Sequence, residues 1–190
     1  MALNSMAFVP GKFKTCIIFL WIITAYAQAS EVNIEFATSS LVENRYLVDA
    51  YIEYDFDDEV ITALTHGIPL RIDTHFKIKR ERKWLWNPIT RAETLSFQLQ
   101  RHALSDHYLL TNLNTEEKEQ FQYLDEALRT LGSINSHFLF DLETIDADSS
   151  YLGYLKSELN IEALPPPLRP IAYFSKHWQA SSQWYEWLVK

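Results

Sequence analysis

The chain lacks several residue patterns that common functional sites require. It has one cysteine, Cys16, and four glycines among 190 residues. It contains no Gly-rich phosphate loop, no dinucleotide-binding motif and no G-x-S-x-G nucleophile elbow, which argues against nucleotide binding of these kinds and against an esterase of that type. Because Cys16 lies in the N-terminal segment, the rest of the chain can form neither a disulfide nor a thiolate site. We expect no cofactor.

The N-terminal residues have the pattern of a secretory signal peptide. Two lysines precede a run of twelve residues without a charge, 16–27, and the apolar region of a signal peptide usually has ~7–15 residues. Spanning a bilayer takes ~20 apolar residues. Small residues at A-x-A spacing predict cleavage after Ala27 or Ala29, so that residues 1–29 are a signal peptide; an uncleaved N-terminal anchor is the alternative. The protein is therefore expected to be exported, and either periplasmic or attached to the outer face of the inner membrane.

Acidic residues outnumber basic ones along the whole chain. There are 25 Asp and Glu against 17 Lys and Arg, a formal charge of −8, and removing residues 1–29 takes away two lysines and leaves −10. Such a chain has no general electrostatic attraction to nucleic acid. No Asn-x-Ser/Thr glycosylation site occurs. An exported domain without disulfides or glycosylation sites favours a bacterial cell envelope.

Two segments alternate apolar and polar residues with the period of a half-buried strand, RYLVDAYIEYD at 45–55 and LRIDTHFKIKR at 70–80. Asp57 is a good helix N-cap and Gly67 suits the position after a helix, so a short helix is predicted at about 58–66.

Further strands are predicted on both sides of a turn at Ser105-Asp106, in EKEQFQ, in HFLFDL and in YLGYLKSELNI, with a second short helix at 123–131 closed by Gly132. Residues 30–190 are therefore expected to form a single mainly β domain, an antiparallel β-sandwich of about seven or eight strands with two short helices. An α+β open sheet is the alternative.

Two groups of residues have some features of metal sites. His102 and His107 could face each other across the hairpin with Asp106 at its tip, but the sequence supplies no convergent third ligand. Acidic residues in the loop 141–150 have EF-hand spacing in part, yet Tyr151 stands where the loop needs glycine and Ser157 where it needs glutamate. Neither group predicts a metal site, and no catalytic residue is singled out.

One segment differs from the acidic remainder of the chain. Residues 77–83 carry five basic side chains and one acid, and two tryptophans follow. One hypothesis is a basic hairpin, with tryptophans at its tip, that binds anionic lipid or glycan; the simpler interpretation is a charged strand end. The candidate surface-binding residues are Lys79, Arg80, Arg82, Lys83, Trp84 and Trp86.

Three stretches carry a resemblance to a known family: RYLVDAYIEY with the following helix and G-I-P-L, HYLLTNLNTEEKEQFQYLDEALRTLG at 107–132, and NIEALPPPLRPIAYFSKHWQASSQWYEW at 160–187. The chain resembles the domain-of-unknown-function 4390 family of exported bacterial proteins over nearly all of residues 30–190. The resemblance implies a single exported domain with an N-terminal signal or anchor, and genes that lie near a sensor kinase. It implies no activity, so no catalytic residue is carried over.

The C-terminal part of this match contains a proline-rich segment, ALPPPLRPIAYF at 163–174. Its PxxP motif could be displayed as a ligand for a partner. We interpret the segment instead as a structural strap, extended over 164–170, with prolines fixing φ where no N–H could be paired. In that interpretation five aromatic residues anchor the strap and the tail on the domain: Tyr173, Trp178, Trp184, Tyr185 and Trp187.

Two functions therefore remain open at this point. The first is a non-enzymatic envelope protein that binds a protein partner such as a membrane sensor. The second is a module that binds anionic lipid or glycan through residues 77–86. A hydrolase is a distant third, because none of the 25 acidic residues is singled out as a catalytic pair.

Overall fold

The computed structural model describes residues 30–81, 88–144, 146 and 149–189. The predicted signal peptide, residues 1–29, lies outside the described residues. Of the candidate binding residues, Lys79 and Arg80 are described, whereas the other four lie outside: Arg82, Lys83, Trp84 and Trp86.

The domain is mainly β, as predicted, and its described residues form two antiparallel sheets. One sheet has three strands in the order β1-β2-β7, and the other has six in the order β6-β5-β4-β3-β8-β9. The nine strands exceed the predicted seven or eight because β1 and β9 carry no clear sequence signal. Their bounds are β1 Glu31–Val42, β2 Arg45–Asp55, β3 Leu70–Arg80, β4 Ile89–His102, β5 His107–Asn112, β6 Lys118–Phe121, β7 Ser133–Asp141, β8 Tyr151–Leu159 and β9 Tyr185–Val189.

The core lies between the inner faces of the two sheets, and it is formed by the apolar residues of the predicted alternating segments. Val48, Ala50 and Ile52 of β2 are buried on the same face, and so are Leu70, Ile72, Thr74, Phe76 and Ile78 of β3. Alternate residues of β8 complete the layer. Burial of these apolar side chains is the main stabilising contribution to the sandwich.

Three buried polar side chains connect the sheets inside this core. The Tyr54 hydroxyl of β2 lies 2.8 Å from Ser157 Oγ of β8, which lies 3.0 Å from Thr74 Oγ1 of β3. Burial raises the pKa of Tyr54 to about 12, against the opposing effect of its hydroxyl partners. The phenol therefore stays neutral and acts as a hydrogen-bonding group within the core.

The two predicted helices are present as α1 (Asp58–Thr65) and α2 (Leu124–Gly132). Asp57 caps α1 by accepting a hydrogen bond from Glu59 N at 2.8 Å, and Gly67 adopts a φ of 83° just after the helix, as expected. Gly132 has a different role from the predicted one, because it belongs to the last turn of α2. A Cβ built there would lie 1.9 Å from the carbonyl oxygen of Ile52, so this glycine permits close packing of α2 on β2.

The proline-rich segment is not the extended strap that we predicted. Residues 165–168 form a turn closed by a hydrogen bond from Leu168 N to Pro165 O at 2.9 Å. A third helix, α3 (Arg169–Phe174), follows with Pro170 in its first turn. Proline suits this position because its missing N–H would have no partner within the helix and its fixed φ matches helical geometry.

The sandwich has two ends that matter for the sites. Ser30 Oγ donates to His177 O and accepts from Asp57 N. Leu159 N donates to Ala180 O. Together these contacts place Ser30 and the segment after α3 near the start of β3. We call this the Ser30 end. The end of β3 and the start of β4 pair at the opposite end, which we call the hairpin end. No helix among the described residues is long and apolar enough to cross a membrane.

Candidate functional site

Lys79 and Arg80 are the last two residues of β3, at the hairpin end. The ammonium nitrogen of Lys79 lies 4.3 Å from the centroid of the Tyr154 ring. Arg80 pairs with Asp146, with a nitrogen-to-oxygen distance of 2.6 Å, and both side chains are partly exposed. The predicted antiparallel arrangement of the two flanking strands is confirmed by the pairing of β3 with β4. Both described candidate cations therefore have a partner within the domain.

Lys77, which lies on the same side of β3 as Lys79, makes the same kind of contact with another aromatic ring. The ammonium nitrogen of Lys77 lies 4.1 Å from the centroid of the Trp184 ring. Trp184 remains 41% exposed. Leu188, which follows Glu186 by two residues on the outer side of β9, is 47% exposed. We define the lysine–aromatic face as Lys77, Lys79, Tyr154, Trp184 and Leu188.

Strand order brings these residues together on the outer side of the six-stranded sheet. In the register of β3, β8 and β9, Lys77 lies opposite Tyr154, and Lys79 lies opposite Leu152, which in turn pairs with Leu188. Cation–π contacts contribute ~0.5–1 kcal/mol when exposed, and they hold the long lysine stems flat against the rings. The result is a surface of aromatic and aliphatic carbon that extends over three strands, with two ammonium groups lying on it.

Tyr154 is also held by an acidic neighbour. Burial raises the pKa of its hydroxyl, and a hydrogen bond to the Glu186 carboxylate raises it further. Glu186 pairs directly with Tyr154 across β8 and β9. The ring is therefore fixed between Lys79 and Glu186, and it is available as a rigid contact surface rather than as an acid.

A polar network continues the same outer face towards the Ser30 end. Asp73 is buried and accepts hydrogen bonds from Arg71 Nε at 2.9 Å, Ser96 Oγ at 2.6 Å and Asn160 Nδ2 at 2.6 Å. Burial alone would raise the pKa of Asp73, but the three donors and the Arg71 charge hold it below its usual range. Because the carboxylate already accepts three hydrogen bonds within the domain, this network supports the fold rather than catalysis.

Neighbouring His75 extends that network. Its Nδ1 lies 2.9 Å from Thr94 Oγ1, and its Nε2 lies 3.3 Å from Glu158, which also pairs with Lys156 at 2.6 Å. Burial acts to raise the pKa of Glu158, but the bonds from Lys156 and His75 leave it lowered.

The histidine pair at the β4–β5 turn does not form a metal site among the described residues. His102 and His107 lie opposite each other in register, but Asp106 pairs with Arg101. Both histidines use Nδ1 in contacts with Ser105. In the loop 141–150, Asp146 accepts from Arg80 and from Ser149 Oγ, and residues 145, 147 and 148 lie outside the described residues.

One group that sequence reasoning missed could hold a metal ion. Asp57, Glu59 and His177 each place a ligand atom within 4.8 Å of the others, the one such group found in the described part of the chain. However, His177 Nδ1 pairs with Asp57 at 2.9 Å, and Trp178 Nε1 donates to Glu59 at 2.8 Å. The hydrogen bond from Glu59 N lowers the pKa of Asp57. Burial acts to raise it, but the neighbouring His177 adds to the lowering. These contacts attach the 3-10 helix Lys176–Trp178 to the start of α1.

The five aromatic residues expected to anchor the tail divide into two groups. Trp178 is buried, Trp187 is only 7% exposed, and Tyr185 packs against the core. Tyr173 and Trp184 are exposed instead. Trp187 lies over Gly153, where an added Cβ would come within 2.2 Å of the indole ring. The tail is therefore anchored by Trp178 and Trp187, which leaves Trp184 available on the lysine–aromatic face.

Comparison with known families gives one match. The family model described as "Domain of unknown function (DUF4390)" covers residues 29–188. The chain belongs to the DUF4390 family. This confirms the resemblance carried by the three stretches of sequence. No curated protein and no solved structure matches the chain.

Proposed function

We propose that this DUF4390 protein is an exported, non-enzymatic protein of the cell envelope that binds a protein partner, such as a membrane sensor, through its lysine–aromatic face. The observation that carries the proposal is the exposed Trp184 ring beneath Lys77. Tryptophan and tyrosine are enriched at the centres of protein interfaces, where they bury a large area with little loss of side-chain freedom, whereas lysine is depleted there.

The shape of the face favours a protein over a small ligand. Its residues extend across three neighbouring strands, β3, β8 and β9, and the rings are held in place by Lys77, Lys79 and Glu186. A preorganised surface that extends over three strands suits a partner that covers it broadly, whereas small-molecule sites are usually compact clefts.

The alternative is binding of anionic lipid or glycan by residues 77–86. The described cations of this segment support it less well, because Lys77 and Lys79 lie on aromatic rings and Arg80 pairs with Asp146. An anionic ligand would have to compete with these contacts, and the acidic net charge of the chain opposes its approach.

Site-specific photo-crosslinking in the envelope tests the proposal. A photoreactive residue at Leu188 should give a discrete protein adduct, and the adduct should weaken when Lys77→Ala and Trp184→Ala are combined in the same chain. Phe36 is the matched control, since it is also 47% exposed but lies on the other sheet. A lipid adduct alone at Leu188 would favour the alternative. Equal adducts at both positions, or none at Leu188, would contradict the proposal.

A further inference from the structure

The first half of β4 is an open edge of the six-stranded sheet. β3 pairs with β4 from Ile89 to Leu99, whereas β5 pairs with it only from Phe97 to His102. On the side away from β3, no strand of the described residues pairs with β4 before Phe97. Residues 89–92 are exposed. An open edge of this kind offers its backbone N–H and C=O groups to another strand.

The hydrogen bonds of Ser96 show which backbone groups point to the open side. Ser96 N donates to Asn114 Oδ1 at 2.7 Å, and Leu113 N donates to Ser96 O at 2.8 Å. Asn114 Nδ2 donates to Thr94 O at 3.0 Å. Because the direction of these groups alternates along a strand, the N–H and C=O of Ala92 point the same way. The edge is therefore partly covered at Thr94 and open at Ala92.

The two residues that flank Ala92 carry opposite charges. Arg91 and Glu93 lie opposite buried residues of β3, so both are on the inner side of the sheet. Arg91 Nη2 lies 3.0 Å from Glu93 Oε2, and the side chains are 43% and 23% exposed. Glu93 also pairs with His137 of β7. Both charges therefore remain accessible from the edge.

We propose that two copies of the chain associate through this edge, with β4 antiparallel to β4 about a two-fold axis at Ala92. Ala92 then exchanges two N–H···O bonds with Ala92 of the second copy. Arg91 lies opposite Glu93 of the second copy, and Thr90 lies opposite Thr94. Opposite charges and threonine pairs across strands are stabilising. The register of β4 on β3 shifts next to Arg91, so the ladder ends at Thr90.

The two charges specify both the register and the partner. A charge on an edge strand normally opposes pairing, because it would be buried without a counter-charge. Moving the axis to Arg91 or to Glu93 would place like charges opposite each other, which is destabilising. The sequence Thr-Arg-Ala-Glu-Thr at 90–94 is complementary to itself only about its central residue. This symmetry favours a second copy over an unrelated strand.

The association gives the dimer one continuous sheet. A two-fold axis between antiparallel strands is perpendicular to the sheet, so the outer faces of both copies point to the same side. The lysine–aromatic face extends over β3, β8 and β9, and the pairing of β4 leaves it uncovered. The inference concerns a second surface and does not depend on the proposed protein partner.

Disulfide trapping with the full chain tests the association. In a Cys16→Ala background, a single cysteine is introduced as Ala92→Cys or, as the matched control, as Ser40→Cys, which is also exposed but lies on β1 of the other sheet. Hydrogen-bonded residues in an antiparallel pair have Cα atoms about 5.5 Å apart, within the range of a disulfide. The purified chain in mild detergent is oxidised with copper phenanthroline and separated on a non-reducing gel.

The chain with Ala92→Cys should give several-fold more covalent dimer than the chain with Ser40→Cys. Equal yields at the two positions would overturn the proposal, and this comparison needs no change to the charged residues.

Charge variants carrying Ala92→Cys then test the register. Adding Arg91→Glu or Glu93→Arg alone should lower the yield of dimer several-fold, because like charges then meet across the axis. Mixing these two variants, with tags of different size, should restore the yield as a mixed dimer in which every charge meets its opposite. Far-UV circular dichroism checks that each variant is folded. A mixture that gives no more dimer than either variant alone would refute pairing in this register.

Discussion

Trp187 and Trp184 lie three residues apart in the tail, and replacing each by alanine separates a core contact from a surface contact. Trp187 is 7% exposed and lies on Gly153, whereas Trp184 is 41% exposed and contacts Lys77. A buried tryptophan contributes an apolar area of roughly 150–250 Å². At ~25 cal/mol per Å², that area corresponds to about 4–6 kcal/mol of the free energy of unfolding.

Trp187→Ala should therefore lower the free energy of unfolding by roughly 3–5 kcal/mol, the usual range for a core tryptophan. The lower part of this range is expected, because Trp187 Nε1 is buried without an acceptor among the described residues and the substitution removes that unpaired donor. Trp184→Ala should cost about 1–2 kcal/mol, since a large part of its ring faces solvent and its contact with Lys77 contributes little.

Urea denaturation followed by far-UV circular dichroism measures both losses without relying on tryptophan fluorescence. In a chain of this size, 3 kcal/mol corresponds to a fall in Tm of roughly 6–12 °C. Trp187→Phe should lose less than Trp187→Ala, because the smaller ring still covers Gly153 and has no N–H to satisfy. Equal losses for Trp187→Ala and Trp184→Ala would refute the assignment of Trp187 as the anchor of the tail.

Three further predictions concern other parts of the domain. Asp73→Asn should lower the free energy of unfolding at pH 7 by roughly 1.5–3 kcal/mol. Because the pKa of Asp73 is lowered on folding, the carboxylate stabilises the domain fully above its ordinary pKa of ~3.9, and this contribution is lost as pH falls below that value. The free energy of unfolding measured from pH 6 to pH 2 should therefore fall more steeply in the wild type than in the variant, and parallel curves would contradict this. Gly132→Ala should lower the free energy of unfolding by about 1–3 kcal/mol or more, since the new Cβ meets the backbone of Ile52. Gly67→Ala should lower it by only ~1 kcal/mol, because of the positive φ at that position. Denaturation midpoints in the reverse order would show that α2 can move away from β2. Zinc added to the full chain should leave Tm unchanged, because Asp57 already pairs with His177, and a zinc-dependent rise that Asp57→Asn abolishes would establish a metal site there.

Most of the secondary structure followed from local patterns, and the exceptions have physical causes. The alternation in β2 and β3 is regular, so both strands were predicted with their observed bounds. In β1 the register shifts between Ile34 and Phe36, and this irregularity breaks the alternation by which a strand is recognised. The prolines indicated an extended strap, yet Pro170 begins α3, because proline is compatible with the first turn of a helix as well as with extended chain.

The candidate surfaces were predictable only in part. Basic residues 77–83 stand out in an acidic chain, but no local pattern relates Lys77 to Trp184 or distinguishes exposed Trp184 from buried Trp187. That distinction depends on β9 pairing with β8 at the edge of the sheet, which turns alternate residues of the tail towards solvent and core. The exposure of Ile171, Tyr173 and Phe174 on α3 likewise follows from the way the helix packs, with Ala172 buried.

The sequence by itself determined the features that local chemistry controls: a mainly β domain from period-two alternation, α1 from its N-cap and following glycine, the acidic charge, and membership of the DUF4390 family. Tertiary structure alone decided which distant residues meet. Trp178 donates to Glu59 from 119 positions away, and Tyr54 meets Ser157 from 103 positions away. Such contacts depend on the order of strands in the sheets and on how the sheets pack, and the spacing of residues within a single strand carries no information about either.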